Sequence, residues 1–246
     1  MAAYLLGSLD FDACLTLQQR LVFEAGGRQD GQISLLICEH PPLITVGRHG
    51  SRTDIRLGEQ ALASERLNVR WVNRGGGSLA HAPGQVAIYP IVPLEFHGWT
   101  VGTYLGRLQK GLTATLTELG LQCQPSDGQP GHAVSQTHVD AATTPGAPLG
   151  VWGRTGQVAA VGVAVKNWTS YFGAYVNVSP PRRLLSVVHT DARRRAPMSS
   201  LAIERQQPTK MSRVREALVR NLAAAFDAPR YNIHTGHSLT PSNRVA

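Results

Sequence analysis

Lysine is scarce in this 246-residue chain: only Lys110, Lys166 and Lys210 occur, so the net charge of +8 is carried almost wholly by arginine. Cysteine is scarcer in its useful arrangements. Cys14, Cys38 and Cys123 are odd in number and form no CxxC pair, which argues against a disulfide framework or a zinc finger, and each reads as a structural thiol. No apolar run approaches the roughly 18 residues of a membrane span. The first ten residues, Met1 to Asp10, lack the basic start and apolar stretch of a signal peptide, so the cytoplasm is the expected compartment. Aromatic residues make up 6%, and no basic-aromatic interleaving or nucleic-acid motif accompanies the positive charge. The charge therefore points to acidic partners in general rather than to nucleic acid.

What is present alternates between strand-like and helix-like patterns, as in one α/β domain over residues 1–228. Asp10 or Asp12 can cap a helix to about Glu24. Ser34 to Glu39 and Leu43 to Val46 read as strands broken by Pro41-Pro42, Gly58 to Leu67 as a helix, and Val69 to Val72 as a strand. Val86 to Val92 reads as a central strand. Val101, Tyr104, Leu105, Leu108, Leu112, Leu116 and Leu119 mark a helix stopped by Gly120. Residues 125–150 read as an exposed insertion rich in Pro, Gly, Ser, Thr and Ala. Its His132 and His138 lack partners at ligand spacing, and no metal site is expected. Val158 to Val165 and Tyr171 to Val178 read as strands, with Gly162 marking a close backbone approach. Arg182 to Pro197 reads as basic and irregular, Lys210 to Phe226 as an amphipathic helix, and 229–246 as a loose polar tail.

The most unusual stretch is Arg74 to Gln85, RGGGSLAHAPGQ, which is too rich in glycine for regular structure. Consecutive glycines let backbone N–H groups approach a ligand, where they can hold an anion or a carbonyl oxygen. Arg74 adds a fixed cation and His81 a titratable ring. No helix follows, so this is neither a P-loop nor a dinucleotide-binding turn.

RGGGSLAHAPGQVAIYP resembles the signature loop of the lipoate-protein ligase B family (octanoyltransferases). Arg74, Gly75, Gly76, His81, Pro83, Gly84, Gln85 and Tyr89 stand in register, with departures at Leu79 and Ala82. LLICEHPPLITVGR (Leu35 to Arg48), GVWGRTGQVAAVG (Gly150 to Gly162) and FGAYVNV (Phe172 to Val178) are similar to further segments of that family. The resemblance implies an α/β (α+β) fold, a mixed sheet flanked by helices as in biotin and lipoate ligases. It implies no cofactor. The activity it implies is transfer of an octanoyl or lipoyl group from acyl carrier protein to a lysine of a lipoyl domain, in a dehydrogenase complex or the glycine cleavage H protein. Membrane and nucleic acid are not implied partners.

The substrate-binding residues carried over by the resemblance are Arg74, Gly75, Gly76, Gly77, Ser78, Leu79, Ala80 and His81, then Ala160, Val161 and Gly162, then Gly173, Ala174 and Tyr175. The family's catalytic cysteine and lysine fall on Thr190 and Gln157, and its His-Gly becomes Phe172-Gly173. A threonine hydroxyl is not ionised at neutral pH and a glutamine carries no charge, so the family's thiolate mechanism is not available at these two positions. Two readings follow. One is direct transfer in which His81 takes the amine proton, with Arg182, Arg183, Arg193, Arg194 and Arg195 receiving the acidic carrier. The other is a non-catalytic or partner-dependent relative that keeps the acyl pocket.

Overall fold

The computed structural model describes residues 1–28, 30–125, 149–189 and 197–240. Thr190, Arg193 to Arg195, His132 and His138 lie outside the described residues.

Strand β1 (Ala2–Ser8) leads into helix α1 (Phe11–Gly27), whose N-cap Asp10 accepts from Ala13 N. Strands β2 (Ser34–Glu39) and β3 (Leu43–Val46) have the expected limits on either side of the proline pair. A 3-10 turn at Arg52–Asp54 and helix α2 (Glu59–Ser64) precede β4 (Asn68–Trp71). Helix α2 is shorter than its sequence pattern because Glu65 already caps it and Arg66 takes a positive φ of 53°. The glycine-rich stretch is not wholly irregular, contrary to expectation: Ser78–His81 is strand β5. Its residues alternate across β3, pairing Val46↔Ser78 to Leu43↔His81, and this ladder satisfies backbone groups that a buried loop could not.

Strand β6 (Gln85–Ile91) is wholly buried, and helix α3 (Val101–Glu118) follows with Thr100 as N-cap. Strands β7 (Gln124–Pro125) and β8 (Leu149–Trp152) flank residues 126–148, so the ends of the expected insertion belong to the sheet. Strands β9 (Gln157–Lys166) and β10 (Thr169–Asn177) form a hairpin with Asn167 and Trp168 at φ 51° and 54°. Two further corrections concern the C-terminal third. Arg182–Leu185 is a short helix, α4, seated by Leu184 on the small sheet's core. After α5 (Leu201–Arg205) and α6 (Met211–Ala225), the described part of the tail, 229–240, is not loose, because β11 (Asn232–Thr235) pairs in parallel with β1. The pattern of β11 hides this: all four of its residues are exposed, and only backbone pairing, with His234 stacked on Tyr4, defines it.

Among the described residues the strands make an eight-stranded mixed sheet, ordered β11-β1-β2-β6-β10-β9-β8-β7, and a three-stranded sheet, β4-β3-β5. Period-two alternation divides the large sheet's side chains between two cores. Leu35, Ile37, Val86, Ile88, Val161 and Ala174 face α3 and α6. Leu36, Cys38, Ala87, Tyr89, Ala160 and Tyr175 face α1 and Leu79 of the small sheet. No helix among the described residues is long and apolar enough to cross a membrane.

Candidate active site

The site is built where the loop before β5 lies across β9. Gly75 N donates to Val163 O at 2.9 Å. A Cβ on Gly162 would stand 2.5 Å from Gly75 O, so only glycine lets the loop settle here. On the loop's other side a Cβ on Gly47 would meet Gly76 O at 2.5 Å.

Arg74 fixes the loop from within. It is 1% exposed, and no carboxylate among the described residues pairs with it. Its Nη1 donates to Gly75 O (3.0 Å) and Gly77 O (2.9 Å), and its Nη2 to Thr45 O (3.0 Å) and Thr45 Oγ1 (2.7 Å). Gly47 N and His49 N donate to Gly77 O and Gly76 O. The three glycine carbonyls are thus turned toward protein, and the Gly76 and Gly77 amides donate to no backbone carbonyl among the described residues. Burial pulls the Arg74 pKa down, but from so high an ordinary value that the guanidinium stays charged.

His81 joins this charge to the sheet. Its Nδ1 lies 2.8 Å from Gln85 Oε1, which can only accept, so Nδ1 carries the hydrogen. Its Nε2 then accepts from Thr45 Oγ1 at 2.7 Å. Gln85 Nε2 donates to Ala80 O and Asn177 Oδ1, and Asn177 Nδ2 donates to Ser199 O. The result is one directed chain of hydrogen bonds from Arg74 through Thr45, His81, Gln85 and Asn177 to Ser199. Burial, with the nearby His40 and Arg74, holds the His81 pKa well below its ordinary value, so the ring is neutral. It is 1% exposed and both nitrogens are engaged, so neither is open to a substrate amine. Thr45 and Asn177 escaped the sequence reading because their partners are remote in sequence; Thr45 stands 29 and 36 residues from Arg74 and His81.

The remaining positions separate by strand alternation. Gly173, Ala174 and Tyr175 pair directly with Gly162, Val161 and Ala160. Ala160 and Tyr175 face the loop side, and the Tyr175 ring packs tilted against His81 at 4.7 Å between centroids. Val161 and Ala174 point into the α3/α6 core and offer the loop side only backbone. Of β5, Ser78 donates to Asp54 Oδ2, Leu79 packs toward α1, and Ala80 packs on the small sheet's own core. Two buried polar atoms here have no hydrogen-bond partner among the described residues, Arg74 Nε and Tyr175 OH. Phe172 holds a φ of 55° in a strand, with its N–H donated to Gln18 Oε1 at 2.8 Å.

Gln157 sits at the start of β9. Its backbone is clamped by Pro197 O and Ser199 N, and its Nε2 donates to Leu149 O at 3.3 Å, while Oε1 has no partner. Beside it lies a cavity of about 320 Å³ lined by Arg56, Arg182, His189, Met198 and Ile203 among others. Arg56 Nε donates to His189 Nε2 at 2.9 Å, and Arg182 is exposed at the rim.

The lipoyl protein ligase A/B catalytic domain matches residues 10–223. The chain belongs to this family. Within it, octanoyltransferases are its sequence relatives. One from Roseiflexus sp. (strain RS-1) is 31% identical over 92% of this chain and 88% of its own length. Another, from Citrifermentans bemidjiense, is 30% identical over 93% and 96%. Solved lipoate ligases share the fold at low identity. Lipoate-protein ligase A bound with ATP superposes at TM-score 0.67 with 14% identity, covering 96% of this chain and 90% of that one. A bi-partite lipoate protein ligase from Thermoplasma acidophilum superposes at 0.66 with 12% identity, covering 95% and 86%. The fold class expected from the sequence is therefore the fold of the lipoyl ligase family, and the loop that suggested the resemblance lies at the junction of its two sheets.

Proposed function

We propose that this chain is an octanoyltransferase that moves the acyl group directly, without a covalent enzyme intermediate. The carrying observation is the intact scaffold of the glycine loop: Arg74, Thr45, His81 and Gln85 are joined by hydrogen bonds that hold it. The Gly76 and Gly77 amides donate to no backbone carbonyl among the described residues and can polarise a thioester carbonyl; preorganised donors of this kind are worth about 3–4 kcal/mol of barrier. An acceptor lysine, delivered as the free amine, attacks the thioester carbon. The C–N bond forms, the C–S bond breaks, and the amine's proton leaves with the thiolate as a thiol. His81 acts as a positioning residue rather than as the base, since both of its nitrogens are occupied. Ala160, Gly162, Gly173 and Tyr175 form the wall against the acyl chain, with Val161 and Ala174 contributing backbone. Thr190 and Gln157 stand at the family's cysteine and lysine positions without replacing that chemistry.

The donor is proposed to be an acyl carrier protein, whose phosphopantetheine phosphate suits Arg56 and Arg182 at the cavity beside Gln157. The acceptor is proposed to be a lipoyl domain. A second reading, a binding protein without turnover, is favoured by one observation: Gln157 fills the lysine position with its amide held by Leu149 O.

Mass spectrometry of a lipoyl domain incubated with octanoyl-acyl carrier protein separates the two. Octanoylated acceptor over many turnovers, undiminished in Thr190→Ala and absent in Gly76→Val, supports direct transfer. No turnover with intact binding of either partner establishes the second reading. An octanoyl adduct on the enzyme itself that chases into product removes the direct mechanism.

A further inference from the structure

Two thiols and an imidazole meet behind the substrate loop, in a place the transfer chemistry does not use. Cys14 comes from α1, Cys38 from the end of β2 and His40 from the turn after it. All three are buried: the two cysteines are 0% exposed and His40 2%. Cys14 Sγ and Cys38 Sγ are 3.9 Å apart, Cys38 Sγ and His40 Nε2 are 3.6 Å apart, and all three ligand atoms lie within 4.8 Å of one another.

We propose that Cys14, Cys38 and His40 form a binding site for a thiophilic d10 metal ion, Zn²⁺ in the first place.

The distances carry the argument. Bonds of about 2.3 Å to sulfur and about 2.0–2.1 Å to nitrogen at tetrahedral angles place two thiolates about 3.8 Å apart and a thiolate and imidazole about 3.6 Å apart. The two recorded separations match these edges to about 0.1 Å. The outer partners also fit. His40 Nδ1 donates to Leu9 O at 2.7 Å, which fixes the tautomer and leaves Nε2, 3.6 Å from Cys38 Sγ, as the nitrogen with a lone pair. Gln18 Nε2 lies 3.8 Å from Cys14 Sγ, placed to donate to a thiolate. Tyr89 OH now donates to Nε2 at 2.7 Å, and Tyr175 OH, on a ring 5.8 Å from that of Tyr89, has no partner. Binding of a metal at Nε2 therefore requires the Tyr89 hydroxyl to turn to Tyr175, and a neutral water completes the four ligands. Binding of Zn²⁺ releases the two thiol protons, and the product is electrically neutral, which a buried site requires. Any oxygen-preferring ion is excluded by the donor set. The His40 ring meets that of His81 edge-on at 6.1 Å, so the metal would brace the wall of the acyl site without touching substrate.

The test uses the full chain purified under reducing conditions, loaded with Zn²⁺ or Cu⁺ in separate arms and analysed by elemental mass spectrometry. One ion per chain is expected in the wild type and in Cys123→Ser, and none in Cys38→Ser or His40→Asn, with the higher occupancy identifying the native ion. Should those variants not fold, Co²⁺ in the wild type serves instead, where a thiolate-to-cobalt charge-transfer band of two-sulfur intensity is expected. Folded wild type that takes up no ion overturns the proposal, as does Co²⁺ without that band. Metal kept by a folded Cys14→Ala/Cys38→Ala protein also overturns it, by placing the ion elsewhere, for example on His234 and His237. Metal uptake is read without any activity assay, so its failure leaves the octanoyl-transfer reading untouched.

Discussion

The Thr45 hydroxyl is the hinge of the site, accepting from a buried arginine and donating to a buried histidine. Replacing it with the isosteric valine removes no volume but leaves His81 Nε2 and one Arg74 N–H unpaired. Each such orphaned group costs about 1–3 kcal/mol. Thr45→Val is therefore expected to lose about 2–4 kcal/mol in a denaturant titration, and Thr45→Ser less than about 1 kcal/mol. A valine variant as stable as the wild type would mean that the chain of hydrogen bonds is not the support described. Half of the residues in this run of hydrogen bonds were legible, because Arg74, His81 and Gln85 are neighbours in one unusual stretch and the resemblance singles them out. Thr45 was not, because a threonine in an apolar strand has no pattern of its own; its role exists only once β3 is paired with β5. The hydrogen bonds of His81 were hidden for a related reason: spacing reveals a titratable ring but not that both of its nitrogens are taken.

Strands with continuous apolar runs, β2, β3, β6, β9 and β10, were legible nearly to the residue, since a strand buried on both faces writes its length in its composition. The edge strands β7 and β11, and the strands β8 and β1 that border them, were not, because a strand near an edge is defined by whose backbone it meets. Glu204 on α5 illustrates how such edges are tied down. Its Oε2 accepts from Arg154 N, and its Oε1 from Thr155 N, Thr155 Oγ1 and Ser199 Oγ, so that α5 holds the turn between β8 and β9. Burial pushes the Glu204 carboxyl up, but the hydrogen bonds from Thr155, Ser199 and Arg154 outweigh it and hold the pKa below the ordinary 4.5. The folded state thus binds this proton more weakly than the unfolded state. The stabilisation is complete above about pH 4.5 and is lost as pH falls through the lower folded value. Glu204→Gln should cost about 1–2 kcal/mol at neutral pH, after allowance for partial exposure. The difference from wild type should shrink in acid; a difference that stays constant with pH would assign the loss to packing instead.

At the scale of the molecule the +8 charge finds a place. Arginine scattered over a surface says little, and composition alone named no partner. The fold brings Arg56 and Arg182, 126 residues apart in sequence, to one cavity beside the start of β9. Of the two, Arg56 is committed to His189, whereas Arg182 stands at the rim without an acidic partner among the described residues. A rim charge acts chiefly on encounter, and reversing one typically costs about 1 kcal/mol, or roughly fivefold. Arg182→Glu should therefore raise KM for an octanoyl-acyl carrier protein about fivefold with kcat little changed, and the wild-type advantage should fade as salt shortens the reach of the charges. With a small uncharged octanoyl thioester, which carries no phosphate and no acidic face, the same variant should match the wild type. Equal losses on both donors would place Arg182 in the support of the site rather than in recognition of the carrier, and an effect indifferent to salt would remove the electrostatic account.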